Sequence, residues 1–239
     1  MGRSRVEVTG LRPCRIGRAA TPVLALLILA CSHPRPPAAT PATTKSPTSN
    51  TAAVNPANIR RVMREMPPGY EVTAGSSGES SPRLIWTLKV DATAQPAQCM
   101  EFADPGSGRA QSAQSVSGSG SGGILDVVVV ALPERVDVDD DLVAACRQWS
   151  MSAGHATANV RLTDAPHVEG AKTLGMVVDV RSTVESGSEI DTRAYTYTAY
   201  LGDYYVFSTL TTDPGSALPA LSPQFAADLL VKTVSTLRG

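Results

Sequence analysis

TRAYTYTAYLGDYYVFSTLTT, residues 192–212, is the stretch that decides the fold. It is dense in aromatic and β-branched side chains, which suit a pleated, half-buried surface. Gly202-Asp203 interrupts it as a two-residue loop with glycine first, the composition of a tight hairpin turn. The stretch therefore predicts strands Thr192–Leu201 and Tyr204–Thr212. That turn sets the register: Tyr195 faces Leu210, Tyr197 faces Ser208 and Ala199 faces Val206 on one side, while Thr198–Phe207 and Tyr200–Tyr205 pair on the other. Tyr195, Tyr197, Tyr200 and Tyr205 are candidates to line a ligand groove. Cross-strand packing beneath a helix is the other reading of the same tyrosines.

Working outward, Thr173–Glu185 alternates as a long strand, with Met176, Val178 and Val180 on one face and Val177, Asp179 and Arg181 on the other. Ala158–Leu162, Ile124–Leu132, Tyr70–Thr73 and Leu84–Val90 read as further strands. Ala110–Gly123 is Gly/Ser-rich and reads as a mobile loop; its glycines precede a strand rather than opening a helix, so it is no phosphate cradle. Three helices are expected. Asn55-Pro56 opens one with Ile59, Val62, Met63 and Met66 inward and Arg60, Arg61 and Arg64 outward. Those arginines form either a basic strip for lipid headgroups or a partner, or simply a solvated face. A second helix, Asp140–Ala153, places Leu142, Ala145, Cys146, Trp149 and Ala153 on one side, and Gly154 ends it. The third begins at Ser222-Pro223 and carries the stripe Phe225, Leu229, Leu230, Val234 and Leu237. The expected architecture is α+β: a mostly antiparallel sheet packed against helices, in one domain.

The amino terminus decides location. Five arginines precede the apolar run Val23–Ala30, which is far short of the roughly 20 residues a membrane-spanning helix needs. It reads as a secretory signal, and Ile28-Leu29-Ala30-Cys31 resembles the lipobox of bacterial lipoproteins, in which the cysteine carries the lipid. An ordinary signal peptide cut near Ala30 is the alternative. Ser32–Val54 has almost no apolar side chain larger than alanine and reads as a disordered Pro/Thr tether, with Thr40, Thr43, Thr44, Thr48 and Thr51 as candidate O-glycosylation sites. The expected division is thus signal 1–30, lipidated tether 31–54 and extracytoplasmic domain 55–239. Export leaves the protein on the outer face of the plasma membrane, attached through its lipid. Removing residues 1–30 leaves 16 basic and 21 acidic groups, so the chain lacks the basic footprint of a nucleic-acid binder.

Cys99 and Cys146 remain in the domain and most simply form one bridge, with a free thiol pair as the alternative. Metal ligation is not expected, because neither cysteine has a second ligand at CxxC or CxxH spacing. Asp137, Asp139 and Asp141 echo a calcium loop, but Leu142 and Gln148 stand where glycine and glutamate belong, so they read as helix-capping acids. His155 and His167 belong to no HExxH, HxH or complete deaminase motif, and no GxSxG elbow occurs. The sequence points to no catalytic residue, metal or cofactor.

The lipobox, the Pro/Thr tether, MPPGYEV at 66–72, the two domain cysteines, YLGDYYV at 200–206 and LLVKTVSTLRG at 229–239 together resemble a mycobacterial envelope lipoprotein of a family known only as a domain of unknown function. Seventeen arginines against four lysines fit the GC-rich coding of such a source. The resemblance implies export and a lipid anchor, and it carries no active-site residue. The expected function is a non-catalytic binding or interaction domain, its partner an envelope protein or a small ligand. A carrier of an apolar lipid in a sheet-and-helix cavity is the alternative, and a hydrolase the third reading.

Overall fold

A computed structural model describes residues 53–89, 91–184 and 186–239. Cys31 and the threonine sites Thr40, Thr43, Thr44, Thr48 and Thr51 lie outside the described residues. Among the described residues nine strands form a single sheet: β1 Glu71–Ser77, β2 Thr93–Gln95, β3 Ser112–Gly120, β4 Gly123–Ala131, β5 Gln148–Ala153, β6 Ala156–Thr163, β7 Lys172–Thr183, β8 Glu189–Leu201 and β9 Tyr204–Thr212. Their order is β1-β3-β4-β9-β8-β7-β6-β5-β2, and every neighbouring pair is antiparallel. β8 and β9 pair in the register that the turn dictates, Tyr195 with Leu210 through Tyr200 with Tyr205, and Gly202 takes the left-handed φ of 75°.

The helices are α1 Pro82–Ile85, α2 Met100–Ala103, α3 Asp140–Ala145 and α4 Pro223–Arg238, with a ten-residue 3-10 helix at Pro56–Glu65. On one sheet face, α4 and the 3-10 helix seal a core of Ile59, Val62, Val127, Val129, Val206, Leu210, Leu229, Leu230 and Val234. Ser208 ties the layers together, its hydroxyl donating to the Ala226 carbonyl at 2.7 Å. On the other face, α1, the turn after it and α2 insert Trp86, Leu88 and Phe102 against Val128, Phe207, Met176, Val178 and Trp149. Trp86 Nε1 donates to Thr196 Oγ1 at 2.9 Å, which in turn meets Thr209 Oγ1 at 2.9 Å, so the indole is held at a fixed depth.

The antiparallel sheet with helices packed on it is present, and strands dominate more than an α+β reading implies. Two stretches account for this. Residues 148–153 are a strand, not the second half of a helix, because Trp149, Met151 and Ala153 are buried in strict alternation with exposed neighbours. A helical stripe and a period of two coincide at Trp149 and Ala153, and burial against β6 decides between them. Gly154 serves the β5–β6 turn, at a φ of 56°. The presumed loop 110–123 contains β3, whose small residues make room: a side chain at Gly120 would stand 2.3 Å from the Tyr70 ring. Conversely, the expected strand Leu84–Val90 is, over its described residues 84–89, the end of the short α1 followed by a turn, in which Thr87 adopts a φ of 64° and both Trp86 and Leu88 enter the core.

The first helix starts where expected, with Asn55 Oδ1 accepting from the Ala57 amide at 3.1 Å. Its 3-10 winding has three residues per turn, so the buried line is Ile59 and Val62, and Met63 falls outside it at 37% exposure. Among the described residues, no helix is long and apolar enough to cross a membrane.

Candidate functional site

Four acidic residues at 137–141 bend the chain into α3, where the Asp139 carboxylate accepts from the Asp141 amide at 2.9 Å. α3 has only six residues and no fully buried side chain of its own. Leu142 and Val143 pack half-buried against the core, and both ends of the helix are tied down as well. Cys146, immediately after it, is disulfide-bonded to Cys99, with Cα atoms 5.6 Å apart. At the other end, Lys172 of β7 donates to the Val138 carbonyl at 2.8 Å and pairs with Asp140. β6 and β7 then bring their adjoining ends beneath it. Gly175 allows this crowding, since a side chain there would stand 2.7 Å from the Asp164 carbonyl and 2.9 Å from that of Thr163.

Between α3 and these strand ends lies an open cleft of about 610 Å³. Val143, Leu162 and Leu174 give it apolar surface, Asp140 and Asp164 supply carboxylates, and Arg147 supplies an exposed guanidinium. The Leu162 amide donates to the Arg147 carbonyl at 2.9 Å, fixing the backbone from which that guanidinium extends. Thr173 Oγ1 is directed inward, donating to the Pro166 carbonyl at 2.9 Å. The volume falls in the range of small-molecule sites, and the mixture of an apolar wall with a few charged groups is what orients a ligand. Among the described residues no group of three or more His, Cys, Asp or Glu side chains is placed to hold a metal.

The tyrosines are not brought together. Period two puts Tyr195 and Tyr197 toward α4, and Tyr200 and Tyr205 on the opposite face. Tyr205 is fully buried: its hydroxyl donates to the Ser80 carbonyl at 2.6 Å and its ring stacks on Phe207 at 6.1 Å. Burial pushes the hydroxyls of Tyr200 and Tyr205 far above the ordinary phenol range, and raises that of Tyr197 more modestly. Tyr197, Tyr200 and Tyr205 are therefore packing anchors, and a groove lined by all four is excluded by their opposite orientations. His155 is exposed in the β5–β6 turn and His167 in the β6–β7 connection; neither side chain makes a hydrogen bond among the described residues. Among the described residues, Trp86, Phe102 and Trp149 fill the core on one side of the sheet and Leu229, Leu230 and Val234 the core on the other.

Two features escaped sequence reading. The cleft residues come from α3, β6 and β7, and no local motif joins them. The second feature is a buried ion pair: Arg83 Nε and Nη2 each lie 2.8 Å from Asp104 Oδ2, with side chains 6% and 1% exposed. Arg83 Nη1 also donates to the Lys89 carbonyl at 2.9 Å, so the guanidinium clamps the segment that closes this face of the sheet.

A family model described as "Domain of unknown function (DUF5642)" matches residues 55–238. No curated protein matches the chain. Among solved structures, an uncharacterized protein of Mycobacterium smegmatis superposes with a TM-score of 0.59 at 20% identity, covering 79% of this chain and all of its own. The extracellular domain of PknH from Mycobacterium tuberculosis matches with a TM-score of 0.40 at 13% identity, covering 77% of this chain and 91% of its own. At such identities the first likeness shows a shared fold alone.

Proposed function

The chain belongs to the DUF5642 family, domains of unknown function with a structural relative in mycobacteria, and from that premise we propose that it is an exported, lipid-anchored binding domain without catalytic activity. In this reading residues 1–30 are removed, Cys31 carries the lipid, residues 31–54 tether the domain, and Thr40, Thr43, Thr44, Thr48 and Thr51 are the glycan acceptors. The domain then faces outward from the plasma membrane.

The observation that carries the binding role is the α3–β6–β7 cleft, where an exposed guanidinium, two carboxylates and an apolar wall surround about 610 Å³. Arg147 suits an anionic group on the partner, and Leu162 and Leu174 suit its apolar body. A small envelope ligand or one projecting side chain of an envelope protein fits this description.

The test is in-cell crosslinking. A photoreactive amino acid placed at Ala144, exposed on the cleft rim, is expected to capture a discrete partner on the surface of a mycobacterial host. The same group at Thr157, exposed on β6 away from the cleft, is expected to capture none. Arg147→Ala should reduce the Ala144 product at least tenfold, the loss of one charge-assisted hydrogen bond. Equal products from the two positions would place recognition elsewhere.

A further inference from the structure

We infer that the outer face of the 3-10 helix is a docking surface for an anionic phospholipid bilayer. This deepens the anchored reading and rests on it for its orientation.

Residues 55–239 carry 14 basic and 21 acidic groups, so a cluster of free cations runs against the composition of the domain. Three occur within five residues: Arg60, Arg61 and Arg64 are all exposed, and none joins an ion pair among the described residues. Arg109, Arg147 and Arg161 are also exposed and outside any ion pair among the described residues, but each stands alone in the sequence, whereas Arg181 pairs with Asp191 on the sheet and Arg135 pairs with Asp137.

The 3-10 winding arranges these cations on a face. At three residues per turn, positions i and i+3 eclipse, so Arg60 and Met63 form one ridge and Arg61 and Arg64 the next, while Ile59 and Val62 take the buried line. Met63 is 37% exposed, and Val231 on the adjoining α4 is 39% exposed. Next to them Lys232 reaches across to Glu65 at 2.9 Å, which occupies the helix's own carboxylate. A surface of three arginines with an exposed thioether on the same helix has the chemistry of interfacial membrane binding: cations for the headgroups, a short apolar side chain for the acyl boundary.

Position in the chain supplies the second argument. The helix begins at Pro56, and only 23 residues separate Cys31 from its cap at Asn55. Even fully extended, that span reaches about 80 Å. A lipid on Cys31 thus confines the domain to a thin layer above the bilayer, where weak contacts are favoured by effective concentration. The Asn55 amide donates to the Leu237 carbonyl at 2.8 Å, so the point where the chain leaves the domain is fixed beside the carboxyl end of α4. The arginine face lies on the first element among the described residues.

The experiment uses the chain from position 31 onward, with Cys31→Ser so that no acyl group contributes; both cores lie within it. It is co-sedimented with vesicles of phosphatidylcholine alone and with one third phosphatidylglycerol. Binding is expected only to the anionic vesicles, and it should fall away in 0.5 M salt as screening sets in. The triple variant Arg60→Gln, Arg61→Gln, Arg64→Gln should bind on the order of 100-fold more weakly, each arginine being worth about fivefold near such a surface. Arg135→Gln should bind like the parent. Vesicle binding that ignores lipid charge or survives the triple substitution would overturn the inference. So would a triple variant that alters self-association and leaves vesicle binding intact, since the face would then meet a second copy. Anchoring is read separately, from the mass of the full chain: loss of the lipid at Cys31 with vesicle binding retained would sink the anchor and keep this face.

Discussion

Arg83→Met should lower the unfolding free energy by about 3–5 kcal/mol, because it strands the Asp104 carboxylate in the interior without its cation. That carboxylate is 1% exposed, and among the described residues its Oδ2 is the atom that meets the guanidinium, so the Arg83 pairing carries its compensation. The arginine is also a clamp, since its remaining bond holds the Lys89 carbonyl beyond the turn at Thr87. Urea denaturation monitored by Trp86 and Trp149 fluorescence reads the effect. The double variant Arg83→Met, Asp104→Leu separates charge from packing: removing both ions should recover most of the loss, as apolar replacements of buried ion pairs commonly do. A single variant as stable as the parent would mean that water reaches Asp104 and that the segment over this sheet face is loosely held.

Removing the bridge is the other large effect. Cys99→Ser with Cys146→Ser should cost about 4 kcal/mol, the loop-entropy value for a closure of 47 residues. For a domain of this size that lowers the melting temperature by about 8–16 °C. Both sulfurs are fully buried, beside Phe102 and Trp149, whose ring centroids are 6.2 Å apart. The consequence for function follows from α3, which contributes no fully buried side chain and depends on Cys146 for its seat. Reduction should therefore loosen one wall of the cleft before the sheet unfolds. Calorimetry with and without reductant checks the stability change, and hydrogen exchange at residues 140–147 checks the local one. Unchanged protection of α3 after reduction would show that Lys172 and the acidic cap hold it unaided.

The hairpin at 192–212 was fully legible, register included, because a two-residue turn with glycine first leaves one pairing and the period-two pattern confirms it. The beginning of the first helix was legible for a similarly local reason, an asparagine side chain that satisfies a free amide. What local pattern cannot supply is the choice between periods that coincide. Leu142, Cys146, Trp149 and Ala153 fit a helix on spacing, and only the partner strand β6 makes 148–153 extended. Likewise, the Gly/Ser run at 110–123 looks structureless until Met66 and Tyr70 are packed on Gly118 and Gly120. The tyrosines were visible as residues, but one strand presents Tyr195 and Tyr200 to opposite cores. The cleft was invisible because its members, Asp140, Arg147, Asp164 and Thr173, meet only when α3, β6 and β7 are assembled.

The anchored reading stands or falls on the amino terminus, and one measurement addresses it directly: intact-mass spectrometry of the full-length gene product extracted from the membranes of a mycobacterial host. The account predicts a chain that starts at Cys31, heavier than residues 31–239 by its acyl groups, with any further mass on the tether threonines. A chain that keeps residues 1–30, or that starts at position 31 with an unmodified thiol, would contradict it.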